Sequence, residues 1–201
     1  MATPSKTQGT SLLAWQNIAS TGVVLSSAVD VSNKFQATFF IRFGRGTGTA
    51  FTTGWPNFRI EGSAKAIGNE AWIPLIVFQP VVGVAIANTT LNGAIIAGAT
   101  TATVTAATNI AAGDIVFLGH TTDVTKFEIS RVKSVSGAVV TFEEAITYAH
   151  DNTALVTDQA EMWLATIDLG SVGRVRVVAD NAGSGQAISV EALMTTEDSI
   201  G

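Results

Sequence analysis

The stretch WIPLIVFQP, Trp72 to Pro80, decides how the chain folds. Apolar residues occupy almost every position, so the stretch reads as a buried β-strand. Pro74 has no N–H to give to a ladder, so this part of the strand belongs at an edge or at a strand start. A second run in the same style, EMWLATIDL, spans Glu161 to Leu169. Residues 82–157 differ: they are rich in Ala and Thr, and all four Trp lie outside them. The chain therefore reads as leaving one β-domain after Pro80 and returning to it near Gln159.

Working outward, Lys34–Arg45 alternates with the period of two that a half-buried strand requires. Phe35, Ala37, Phe39, Ile41 and Phe43 fall on one face; Gln36, Thr38, Phe40 and Arg42 fall on the other. Gly44-Arg45-Gly46-Thr47-Gly48 reads as a mobile loop. It lacks the Lys-Ser/Thr ending of a phosphate-binding loop. Arg174–Ala179 alternates as well, with Arg174 and Arg176 on one face, and DNAGSG at 180–185 reads as a hairpin turn. In the middle segment, Gly113-Asp114 launches a strand at Ile115, and Ser136-Gly137 is a two-residue hairpin signal. The polar residues 1–11 read as a loose arm and the acidic residues 195–201 as an exposed tail. No segment keeps a helical period with caps. The expectation is an all-β protein: an antiparallel, jelly-roll-like β-sandwich from residues 1–81 and 158–201, with a small β-barrel or sheet module inserted at 82–157.

The totals narrow the function. Of 201 residues, 47% are hydrophobic, enough for a substantial core. Charged residues make up 13%, about half the roughly 25% usual in soluble domains. So uncharged a surface suits a protein packed against copies of itself or against another protein. The net charge is −5 with no basic cluster, which argues against sequence-independent nucleic-acid binding. There is no cysteine, hence no disulfide frame and no thiolate metal site. The first residues lack the apolar core of a signal peptide, and no apolar run is of membrane-spanning length. A soluble product with no membrane partner is expected.

Candidate chemistry is sparse. His120 with Asp123, and His150 with Asp151 and Asn152, offer metal-ligating groups without a known spacing; loop histidines capping turns are the simpler account. Ser184 between two glycines lacks the helix that follows a hydrolase nucleophile. Glu143-Glu144 would point to opposite faces of a strand, so the pair suits a solvated strand end better than acid–base work or Ca²⁺ binding. Among Trp15, Trp55, Trp72 and Trp163, Trp55 is the best candidate for an exposed, sugar-stacking ring, while Trp72 and Trp163 read as core. No catalytic residue, cofactor or metal is expected. Trp15, Phe40, Arg42, Trp55, Arg174 and Arg176 are the interface candidates.

Two stretches carry a family resemblance. Gly113-Asp114-Ile115-Val116, then RVKSVSG at Arg131–Gly137, then Val140-Thr141-Phe142, resembles a module of tailed-phage virion proteins. GSVGRVRVVADNAGSGQAISVEAL, Gly170–Leu193, resembles the closing hairpin of β-sandwich phage capsid decoration, or cement, proteins. The resemblance implies a non-enzymatic virion protein, made in the host cytoplasm. It would bind the major capsid protein on the outer surface of an assembled shell, as a homo-oligomer with a trimer favoured, and bridge capsomers. Anything that binds the assembled shell and not its parts stabilises the shell, and closed oligomers suit its symmetry axes. Another virion part (tail, baseplate or head fibre) and a carbohydrate-binding sandwich are the alternatives.

Overall fold

The computed structural model describes residues 6–45, 56–64, 71–80, 87–158 and 160–198. Its regular elements are fifteen β-strands and one turn of 3₁₀ helix. The strands are β1 (Lys6–Ile18), β2 (Val23–Leu25), β3 (Val29–Asp30), β4 (Lys34–Arg45), β5 (Asn57–Ser63), β6 (Ile73–Phe78), β7 (Asn88–Thr90), β8 (Thr101–Thr103), β9 (Ile115–Leu118), β10 (Glu128–Ser136), β11 (Val139–Phe142), β12 (Leu155–Thr157), β13 (Glu161–Asp168), β14 (Arg174–Asp180) and β15 (Ile188–Asp198).

Three antiparallel sheets result. The first has the order β1-β15-β4-β13, the second β2-β14-β5-β6 with β3 also on β14, and the third β7-β12-β9-β10-β11-β8. Leaving the third sheet aside and counting β2 and β3 as one broken strand, the first two sheets read 1-8-3-6 and 2-7-4-5 in chain order. This is the jelly-roll arrangement of two interlocked Greek keys. The all-β sandwich is as expected. The third sheet lies wholly within the connection between the fifth and sixth jelly-roll strands.

The first core lies between the first two sheets. Phe39, Ile41 and Phe43 of β4 meet Phe58 and Ile60 of β5 and Val175 and Val177 of β14, all at or below 1% exposure. Phe43 and Phe58 meet edge-on with centroids 5.4 Å apart, a favoured geometry for aromatic pairs. The third sheet encloses its own core of Leu91, Val104, Val116, Leu118, Val132, Val140, Phe142 and Val156. Its β10 pairs with β9 over Glu128–Arg131 and with β11 over Val132–Ser136, with a register shift after Val132. The sheet bends around that strand.

Several expectations change. The polar start is no loose arm throughout: from Lys6 it is strand, paired with β15 to Glu197. That pairing also orders the acidic end, where Thr196 is buried and Lys34 forms an ion pair with Asp198. WIPLIVFQP is not buried on both faces. β6 is an edge strand, as Pro74 implied, but Ile73 and Val77 are more than half exposed. Phe35, at the start of β4, is exposed rather than in the core. Gly44 and Arg45 are buried strand, not loop; Gly46–Gly48 lie outside the described residues. DNAGSG turns the chain but makes no hairpin, since β14 and β15 belong to different sheets. The β10–β11 turn is Gly137-Ala138, one residue later than read, with Gly137 at φ +58° and Ser136 opposite Val139.

Candidate interaction surface

β13 alternates strictly. Trp163, Ala165 and Ile167 turn inward and pack on the first core; Met162, Leu164, Thr166 and Asp168 turn outward. Trp163 stacks on Phe78 of β6 (5.5 Å, 20°) and Phe43 of β4 (6.0 Å, 26°), which fixes the strand over the second sheet. The outward side carries the strip of interest. Met162 and Leu164 are 53% and 62% exposed, and Phe40 of β4, opposite Leu164, is 38% exposed. With Leu193 of β15, opposite Phe40, they line an open apolar groove across three strands. On the second sheet, β6 exposes Ile73 and Val77.

The candidates named from sequence do not share one face. Phe40 and Arg42 are on the outer face of the first sheet, where Arg42 forms an ion pair with Glu191 and lies 5.5 Å over the Trp15 ring. Trp15 itself is buried. It packs against Phe117 and Phe127 at 5.9 and 6.1 Å and so joins β1 to the third sheet. Arg174 and Arg176 are on the second sheet, both over Trp72 at 5.3 and 4.3 Å. Arg176 donates to the buried Glu61 carboxylate from Nε at 2.8 Å, and Arg59 reaches the other oxygen at 3.3 Å. Trp72 is thus a half-buried platform for two guanidinium groups rather than core. Trp55 lies outside the described residues.

The histidines hold the third sheet together. His150 is buried, with Nδ1 2.7 Å from the Gly119 carbonyl and Nε2 2.6 Å from Glu128 Oε1. Glu128 also accepts from the Thr147 and Tyr148 amides. Burial pushes its carboxyl up, but His150 and those amides outweigh burial and hold it below the ordinary value. His120 Nδ1 accepts from the amides of Thr122 and Asp123, so it closes a turn as expected. Among the described residues no group of three His, Cys, Asp or Glu is placed to hold a metal ion. Ser184 is fully buried, its hydroxyl 2.6 Å from Asn181 Oδ1. Asn181 Nδ2 in turn donates to the Ala19 and Gln186 carbonyls. Glu143 and Glu144 are exposed beyond β11.

Sequence reasoning missed the junction. Asp158 Oδ1 accepts from the Ala87 amide at 2.7 Å, tying together the two chain segments that enter and leave the third sheet. Burial pushes the Asp158 carboxyl up to about 6; the Ala87 amide and Arg45 oppose this, and Asp114 adds to it. Arg45 is 2% exposed beside it. No local motif announces a contact between residues 71 positions apart. The exposure of Met162 and Leu164 was also hidden, because both faces of β13 are largely apolar.

No protein-family profile and no curated protein matches the chain. Solved structures similar to it include the gp54 tailspike of Acinetobacter baumannii bacteriophage AP22 in complex with A. baumannii capsular saccharide, at 22% identity and TM-score 0.34, over 38% of this chain and 15% of the tailspike. The Pseudomonas phage phi297 tailspike gp61 matches at 24% identity and TM-score 0.33, over 36% and 14%. The SPBc2 prophage-derived protein YomS matches at 9% identity and TM-score 0.31, over 97% and 96%. The chain therefore spans about one seventh of the length of the two tailspikes.

Proposed function

We propose that this chain is a non-enzymatic structural protein of a phage virion, which binds the major capsid protein on the outside of an assembled shell and bridges capsomers. The observation that carries the reading is the apolar strip of Phe40, Met162, Leu164 and Leu193 on the outside of the sandwich. Such a strip on a protein with few charges marks a surface that works covered by another protein. The resemblance of Gly113–Phe142 and Gly170–Leu193 to virion modules directs the reading to a phage shell.

The test is made on purified particles. The chain is expected on the shell in many copies, and adding it back to stripped shells is expected to raise their melting temperature. Phe40→Ser is expected to weaken that binding without unfolding the chain. Absence from particles overturns the proposal, and a few copies confined to the tail reassigns the chain to a tail or fibre part.

A further inference from the structure

Two open sheets packed face to face have four edges, and three of them are blunted here. β1 is broken by three register irregularities against β15. β6 carries Pro74 and slips register against β5 between Ile60 and Glu61. The edge opposite β6 is split into a three-residue β2 and a two-residue β3. Bulges, proline and short length each stop an edge from recruiting another strand. β13 has none of these. It runs against β4 for eight residues without a slip, from Glu161 opposite Phe43 to Asp168 opposite Gln36. Its sequence, EMWLATID, holds no Pro, Gly, Lys or Arg. Among the described residues no strand lies on its far side.

We propose that β13 pairs with β13 of a second copy, antiparallel about a two-fold axis perpendicular to the first sheet. The charges and the alternation support this occupant. Residues directly opposite in an antiparallel pair point to the same face, and such an axis keeps each outward face outward. Only residues of equal parity then meet, so Glu161 and Asp168 are never opposite one another. Centring the register on Leu164 sets Leu164 against its own copy, Met162 against Thr166, and Glu161 against Ile167. Centring it on Ala165 would set Leu164 against Thr166 and Met162 against Asp168, leaving no apolar pair on the outward face. The Leu164 register also runs the strip of Phe40, Met162 and Leu164 on across the joint. The interface is isologous and closes as a dimer, not as the trimer that the family resemblance implies.

This inference names the occupant of the β13 edge, and it leaves the strip on which the proposed function rests uncovered and longer. Solution mass tests the occupant and particle binding tests the role, so either can fail alone. The whole chain is expected to sediment at twice its 20.8 kDa mass. Leu164→Lys, at an exposed position, is expected to weaken the dimer about 30-fold or more while leaving the circular-dichroism spectrum unchanged. The chain has no cysteine, so Leu164→Cys gives a clean second readout. It is expected to form an intermolecular disulfide on mild oxidation. Met162→Cys is not, because its two copies would lie about 13 Å apart in this register. A monomer at every concentration, a trimer, or preferential crosslinking through Met162→Cys overturns the proposal. A monomer whose binding to particles is lost with Leu164→Lys overturns it too, and assigns the edge to a strand of the capsid protein.

Discussion

A Cβ on Gly44 would lie 2.3 Å from Cδ2 of Phe117. The ring of Phe117 lies flat against the β4 backbone because no side chain stands there, so the third sheet docks on the sandwich through an absence. Gly44→Ala is expected to destabilise the protein by about 1–3 kcal/mol through overpacking, measured by urea unfolding. Combining it with Phe117→Leu should recover part of that loss, a coupling that distant sites do not show. Glu128 makes a second test. Its folded-state carboxyl is held below the ordinary value. Its contribution is therefore present above the unfolded value and lost as pH falls through the lower folded one. Glu128→Gln is expected to cost about 2 kcal/mol at neutral pH, with the difference from the native chain shrinking in acid. A cost that does not change with pH would contradict an ionised Glu128 carboxylate.

Where the two segments cross between the sandwich and the third sheet, the Asp158 carboxyl works in the opposite sense. Its folded value, about 6, exceeds the unfolded one. The favourable contribution is full below the unfolded value and disappears as pH rises through about 6. Asp158→Asn keeps an oxygen for the Ala87 amide and carries no charge. It is expected to melt about 3 °C above the native chain at pH 8 and level with it near pH 4. The strands themselves were largely legible. Period-two alternation located β4 and β14, and the apolar run EMWLATIDL located β13. β6 was misread because apolar content cannot distinguish two covered faces from one covered face at an exposed edge; only Pro74 carried that information. The hairpin at Gly137 was visible because a two-residue loop needs a residue that tolerates positive φ.

For the whole molecule, the sandwich and the composition change near residues 82 and 157 could be read from the chain. The packing between the sheets could not. Trp15 beside Phe117 and Phe127, and Asp158 beside Ala87, are contacts between residues far apart in sequence, and nothing local encodes them. The six interface candidates share residue type, aromatic or arginine, not position. Three-dimensional placement divided the described ones between two outer faces and a buried joint. The pairing of Asn88 with Thr157 at the foot of the third sheet has a practical result. Both ends of that sheet leave the sandwich side by side, so the jelly roll's own winding never passes through it. Residues 88–157 are expected to behave as a cassette. Cutting them out, joining the stumps with an Asn-Gly turn and changing Trp15 to a polar residue should leave a sandwich that still melts cooperatively. Another β-unit with neighbouring termini could be grafted onto the same stem.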